Sequence, residues 1–220
     1  MGLDYVDICY HSRPDPQTPL GETLGAMDLL VCQGKALYVG VSQYGADLTR
    51  RAVEIFRQMG TPFVLHQPRY NMFDRWIDED LLDVLEEEGV GCIVFSPLAQ
   101  GPLSGKYLDG LPPDSRIGKD PRYLTPEALT RAVNGKVRKL SSLAIRRKQT
   151  VAQMALSWTL RRETVTSALV GVSRPEQLDA NVAALDNLYF SPEEVEESEI
   201  ILQEEVSYGF CHRPRGEGEI

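Results

Sequence analysis

Five short runs rich in Val and Ile constrain the fold of this chain more than any other feature. They are "YVDICY" (5–10), "ALYVGVS" (36–42), "FVLHQ" (63–67), "GCIVFSP" (91–97) and "SALVGVS" (167–173). The first four start roughly 30 residues apart, the length of a strand, a crossover helix and the return. The intervening segments carry helical periodicity. Residues 19–33 line up Leu20, Leu24, Met27, Leu30 and Val31, and residues 46–59 line up Leu48, Ala52, Ile55, Phe56 and Met59. Residues 78–88 carry Leu81, Leu82, Val84 and Leu85. Strands that are apolar on both faces and alternate with helices make a parallel sheet covered by helices.

The period breaks after the fourth run. A Gly/Pro-rich loop (99–124) and two helical patterns (126–147 and 150–162) separate it from the fifth. Thr150 stands where a helix N-cap belongs. Beyond the fifth run, Pro175 opens one helix. Ser191, Pro192 and the acidic residues after them open another in the order cap, first turn, dipole-favoured charge. Residues 1–205 read as one domain and 206–220 as a disordered tail.

Composition narrows the function classes. The 220 residues are 42% hydrophobic and 25% charged, an ordinary globular balance with enough chain for one sizeable core. A net charge of −9 argues against a general nucleic-acid surface. No apolar run is long enough to predict a membrane span. The start "MGLDYVDICYHS" has no basic region and no cleavage motif of a signal peptide. Cys9, Cys32, Cys92 and Cys211 show no C-x-x-C spacing and read as reduced thiols in a cytoplasmic protein, with no metal-ligand pattern.

Two architectures fit such a sheet. A doubly wound sheet holding a dinucleotide usually carries G-x-G-x-x-G after its first strand, and none is present. A (β/α)₈ barrel needs eight strands, and five are legible. In both, chemistry belongs at the C-terminal strand ends. Those ends are polar throughout: His11, Ser12 and Arg13; Ser42, Gln43 and Tyr44; His66, Gln67, Arg69 and Tyr70; "FSPLAQGPLSGK" (95–106); and "GVSRPEQ" (171–177). Two of them suit anions. Gly171, Ser173 and Arg174 precede a helix, where free N–H groups and the dipole favour phosphate. Small residues with Ser104 and Lys106, followed by Arg116, form a loop able to wrap a pyrophosphate.

Several longer stretches carry a resemblance: "GLDYVDICYHSRPDPQTPLGETLGAMDLLVCQGKALYVGVSQY" (2–44), "HQPRYNMFDRW" (66–76), "GVGCIVFSPLAQGPLSGKYLDGLPPDSR" (89–116), "AQMALSWTLR" (152–161) and "LVGVSRPEQLDANVAALDNL" (169–188). Together they resemble the aldo-keto reductases, in the branch that includes L-glyceraldehyde 3-phosphate reductase and the β-subunits of voltage-gated potassium channels. The resemblance implies a (β/α)₈ barrel of the TIM type. It also implies NADPH lying along the C-terminal rim without a Rossmann fingerprint, and reduction of an aldehyde or ketone as the small-molecule substrate. The family's tyrosine acid needs cationic and hydrogen-bonding neighbours to bring its pKa down from near 10. Its aspartate, tyrosine and lysine sit on the first three barrel strands, and the runs found here match the fourth to the eighth. The expectation is therefore an N-terminally truncated member, an incomplete barrel.

Residue by residue, the family histidine position falls on Ser12, with His11 one residue earlier as the possible substitute. Adjacent strand residues face opposite ways, so one of the two faces the site unless the strand has ended or bulged. On the cofactor side the resemblance gives Ser42 and Gln67 to the nicotinamide carboxamide and Phe95 to the nicotinamide ring. It gives Ser96, Pro97, Leu98, Gln100 and Gly101 to the pyrophosphate loop, extended by Ser104, with Lys106 and Arg116 as a basic clamp. Gly171, Ser173, Arg174 and Gln177 fall to the adenosine phosphate and Asn181 to adenine, and Ala180 stands where the family often has glutamate. Three functional readings follow: a carbonyl reductase, inactive alone for want of its Asp, Tyr and Lys; an NADPH-binding regulatory module like a channel β-subunit; or an inactive remnant. Apolar strand edges at 5–10 and 167–172 would favour a homo-oligomer.

Overall fold

The computed structural model describes residues 2–110, 129 and 131–203. Five parallel strands form one sheet in the order β1 (Val6–Ser12), β2 (Ala36–Ser42), β3 (Phe63–Gln67), β4 (Gly91–Phe95) and β5 (Val165–Leu169). Helices α1 (Leu20–Cys32), α2 (Ala46–Met59) and α3 (Leu81–Glu88) connect the first four strands. Helices α4 (Arg131–Arg146) and α5 (Val151–Thr159) precede β5, and α6 (Pro175–Val182) and α7 (Pro192–Gln203) follow it. Strand neighbours that are also sequence neighbours, each joined through a helix, are the pattern of a (β/α)₈ barrel carried through five of its strands.

Local chemistry explains most element bounds. Gly60 and Gly89 end α2 and α3 in left-handed conformations, at φ 75° and 67°, where a side chain would be strained. Thr150 caps α5 in a reciprocal box: Gln153 N–H donates to Thr150 Oγ1 at 3.2 Å, and Thr150 N–H donates to Gln153 Oε1 at 2.9 Å. Ser191 and Glu194 repeat the device at α7.

Four bounds depart from the sequence expectations. β1 runs on through His11 and Ser12, because each finds a partner, Val41 and Ser42, in an unbroken register with β2. β4 ends at Phe95, because Ser96 turns left-handed at φ 55°. β5 lies at Val165–Leu169 rather than 167–173, because the β4–β5 register shifts at Cys92/Ile93 and no ladder partner follows Phe95. α3 starts at Leu81, after a 3₁₀ turn at Trp76–Asp78. The 206–220 tail, Arg116 and the first part of the 126–147 helical pattern lie outside the described residues.

The core is the layer between sheet and helices. One cluster joins Val39 and Val41 of β2 to Leu24 and Met27 of α1 and to Ala52 and Phe56 of α2. The larger cluster joins Cys92 and Val94 of β4 to Leu81, Leu82 and Leu85 of α3 and to Leu140, Leu143, Met154 and Trp158 of α4 and α5. The opposite face of the sheet is more open: Tyr38 is 43% exposed and Leu169 56%.

Candidate functional site

Strand alternation and register sort the polar residues at the strand ends onto two faces. Ser12 pairs with Ser42, and Ser42 with Gln67. These three therefore share the open face of the sheet, together with Tyr10, Gly40, Leu65, Ile93 and Phe95. His11 points the other way. Its Nδ1 shares a 2.9 Å hydrogen bond with the hydroxyl of Tyr44, which is wholly buried against α1 and α2. The β1–β2 ladder shows no bulge that would turn His11 back. Burial lowers the His11 pKa, and Asp15 partly raises it again. Burial pushes the Tyr44 phenol up to about 12, making it a weaker acid.

Tyr10 is a rim-face residue that the sequence reading passed over. A Cβ on Gly40 would stand 2.6 Å from Tyr10 Cε1 and 2.9 Å from the Leu65 carbonyl, so the ring packs into the space a side chain there would need. From there its hydroxyl meets the Gln67 side chain, a contact that lowers the phenol pKa against the larger, raising effect of burial. The legible signal was a glycine inside a strand pattern.

The β3 end is held by buried polar groups. Gln43, left-handed at φ 62°, accepts the Arg69 N–H at 2.8 Å through Oε1. Arg69 pairs with the buried Asp74, and Trp76 Nε1 donates to the Arg69 carbonyl. Asn71 accepts the N–H groups of Phe73 and Asp74 and donates to the Ser96 carbonyl at 3.1 Å, tying the β3 end to the start of the next loop. Tyr70 is buried, donating to Asp78 and accepting from Arg161. Arg69 and Tyr70 are thus structural. His66 is wholly buried, with Nε2 donating to the Tyr44 carbonyl at 3.0 Å.

After β4 the chain folds into a tight loop. Ala99, Gln100 and Gly101 take successive positive φ values of 51°, 63° and 131°. Pro97 and Gly101 are buried, whereas Ser96, Leu98 and Gln100 are half-buried. Ser104 donates to the Gly101 carbonyl, and Lys106 folds over the glycine, its Nζ 3.4 Å from where a Cβ would stand. The buried Gln100 Oε1 has no hydrogen-bond partner among the described residues. Beyond β5, Gly171, Ser173 and Arg174 are exposed ahead of α6. Ser173 gives both its N–H and its hydroxyl to Gln177 Oε1, at 2.9 and 3.1 Å. Asn181 is half-buried on α6.

The structure therefore sets Ser12, Ser42, Gln67 and Phe95 along one rim, with the 96–106 loop and the start of α6 following the ends of β4 and β5. It keeps His11 apart from them.

Comparison with known proteins agrees with this architecture. The profile of the aldo/keto reductase family matches residues 1–203. The chain is 53% identical over 199 residues to an L-glyceraldehyde 3-phosphate reductase of Escherichia coli O157:H7, covering 89% of this chain and 58% of that protein. The corresponding protein of Escherichia coli K12 is 52% identical over the same shares. A putative voltage-gated potassium channel subunit beta of Schizosaccharomyces pombe is 38% identical over 84% of this chain and 56% of its own length. The chain thus spans under three-fifths of the length of these relatives.

Proposed function

The chain belongs to the aldo/keto reductase family, and on that premise we propose that its rim is the NADPH cradle of a cytoplasmic carbonyl reductase. The supporting observation is that Ser12, Ser42 and Gln67 lie level on one face, with Phe95 on that face two residues further along, at the start of the left-handed 99–101 loop. Ser42 and Gln67 would hold the carboxamide by paired donors and acceptors, and Phe95 would cover the ring. The pyrophosphate would lie along Ser96, Pro97, Leu98, Gln100 and Gly101, with Ser104 and Lys106 beside it. The unpartnered Gln100 Oε1 suits a ribose hydroxyl, since it accepts and the sugar donates. Gly171, Ser173, Arg174, Gln177 and Asn181 would take the adenosine end, with Ser173 freed from Gln177 as an anion arrives. The bound nicotinamide would supply hydride to the carbonyl carbon of an aldehyde or ketone.

Ser12 takes the family histidine position. Its hydroxyl donates one hydrogen bond to a carbonyl oxygen but cannot supply the charge of an imidazolium. By the resemblance, the family's aspartate, tyrosine and lysine belong to barrel strands ahead of the five matched here. Proton delivery to the alkoxide therefore requires groups from elsewhere, and the chain alone should bind cofactor without turnover. Among the described residues β1 and β5 each pair on one side only, which would favour association with another chain.

Fluorescence titration of NADPH, with an assay for reduction of methylglyoxal and glyceraldehyde, tests this reading. Saturable binding is expected, and its absence refutes the cradle. A second reading is a cofactor-sensing regulatory subunit, favoured by Ser12 in place of histidine and by the resemblance to a protein named as a channel β-subunit. Its mark is NADPH binding that persists without turnover in a version extended to the length of its relatives.

A further inference from the structure

Helix α6 and the 3₁₀ turn after it (Ala183–Asn187) are held in an unusual way. No residue of α6 is buried, and Leu178, Val182 and Leu185 are 45%, 55% and 55% exposed. Within α6 itself no apolar side chain is buried, and the turn after it contributes the buried Ala184. Donor side chains from α5 and the turn before it reach its backbone carbonyls in a row. Gln153 Nε2 donates to Ala180 O at 3.0 Å, and Ser157 Oγ to Ala184 O at 2.8 Å. Gln149 Nε2 donates to Asn187 O at 3.2 Å, and Arg147 to the Asn187 and Tyr189 carbonyls at 3.1 and 2.9 Å.

Gln153 is the donor of this row that reaches α6 itself, and its amide is used at both ends. Oε1 accepts the N–H and hydroxyl of Thr150 in the α5 cap, at 2.9 and 3.1 Å, while Nε2 holds Ala180 O. Glutamate would serve the cap equally well, because only acceptor oxygen is needed there. It could not donate to Ala180. Only an amide does both jobs.

We propose that Gln153 is a positioning residue that anchors α6 to the α5 cap and thereby sets Gln177 and Asn181 at the adenosine end of the cofactor. The inference rests on the cradle reading above. Gln153 would act through the backbone of Ala180, next to Asn181.

The test uses the full chain with Gln153→Glu, which keeps the cap, and Gln153→Met, which removes the donor and the cap acceptor together without adding charge. Hydrogen exchange over residues 175–182 reads the anchor directly. Displacement of NADPH by 2′,5′-ADP and by reduced nicotinamide mononucleotide reads the two halves of the cradle separately. Both variants should speed exchange in α6. Gln153→Glu should weaken 2′,5′-ADP by about 3- to 10-fold, the loss of one hydrogen bond, and Gln153→Met by at least as much, both leaving the mononucleotide unchanged. Unchanged exchange in α6 overturns the anchor. Equal weakening of both halves, or weakening by Glu alone, overturns the positioning role. If the unsubstituted chain binds none of the three ligands, the cradle reading and the positioning role fall together, and faster exchange would then establish the anchor alone.

Discussion

His66 should make the stability of this protein depend on pH, in a direction and amount that the structure sets. The ring is wholly buried between β3 and the helices, beside Val41 and Cys92 of the adjoining strands. Nε2 donates to the Tyr44 carbonyl, and Nδ1 meets no hydrogen-bond partner among the described residues. A second proton on Nδ1 would create a cation with no acceptor facing it, and burial holds the pKa down to about 4. In the unfolded chain it returns to about 6.5. Between those values the unfolded state binds more protons than the folded one. Stability is therefore full above pH 6.5, falls as pH drops through it, and levels off below pH 4. The two values correspond to about 2 kcal/mol lost between pH 8 and pH 5, and about 3 kcal/mol in the acid limit. Urea unfolding followed by Trp fluorescence at pH 8 and pH 5 measures it. His66→Gln keeps a donor for the Tyr44 carbonyl and cannot titrate. The variant should start less stable at pH 8, yet lose about 2 kcal/mol less than the parent on going to pH 5. His11, whose pKa is lowered in the same direction, is present in both chains and cancels. Equal losses in parent and variant would refute the assignment.

Other perturbations have equally definite outcomes. Gly40→Ala drives a methyl to 2.6 Å from the Tyr10 ring and 2.9 Å from a strand carbonyl, so thermal unfolding should show a loss of about 1–3 kcal/mol. Tyr10→Phe at the same site should leave stability nearly unchanged while weakening NADPH through the loss of the Gln67 contact. Arg147→Met strips charge from a buried guanidinium that pairs with Glu194, bonds two carbonyls and lies 3.6 Å from the centre of the Phe190 ring; because Glu194 is then unpaired, chemical denaturation should reveal a loss of about 3–5 kcal/mol. Lys106→Met should leave the melt unchanged and weaken NADPH about tenfold at low salt, with a smaller penalty at high salt, as titrations at two ionic strengths would show.

Much of the fold was legible because its signals are local. The bounds of β2, β3 and α2 follow from Val- and Ile-rich runs and helical periodicity, and Thr150, Pro175 and Ser191 mark helix starts by chemistry confined to one turn. The bounds that moved depend on partners instead. Leu169 ends β5 because β4 ends at Phe95, far earlier in the chain. The site divides the same way. Residue types at the strand ends, and the motifs from 95 to 106 and 171 to 177, pointed to a phosphate-bearing ligand from the sequence alone. Alternation along a strand required His11 and Ser12 to oppose each other, but not which of them faces the rim. That was decided by the pairing of Ser12 with Ser42 and by the burial of Tyr44 against α1 and α2, which draws His11 to the helical side. The bond from Gln153 to Ala180 likewise joins residues 27 apart that no period connects. The amino-acid order determined the alternation of elements, because hydrophobic period and capping act within a few residues. Tertiary structure decided which face each functional side chain serves, because that choice belongs to contacts between segments distant in sequence.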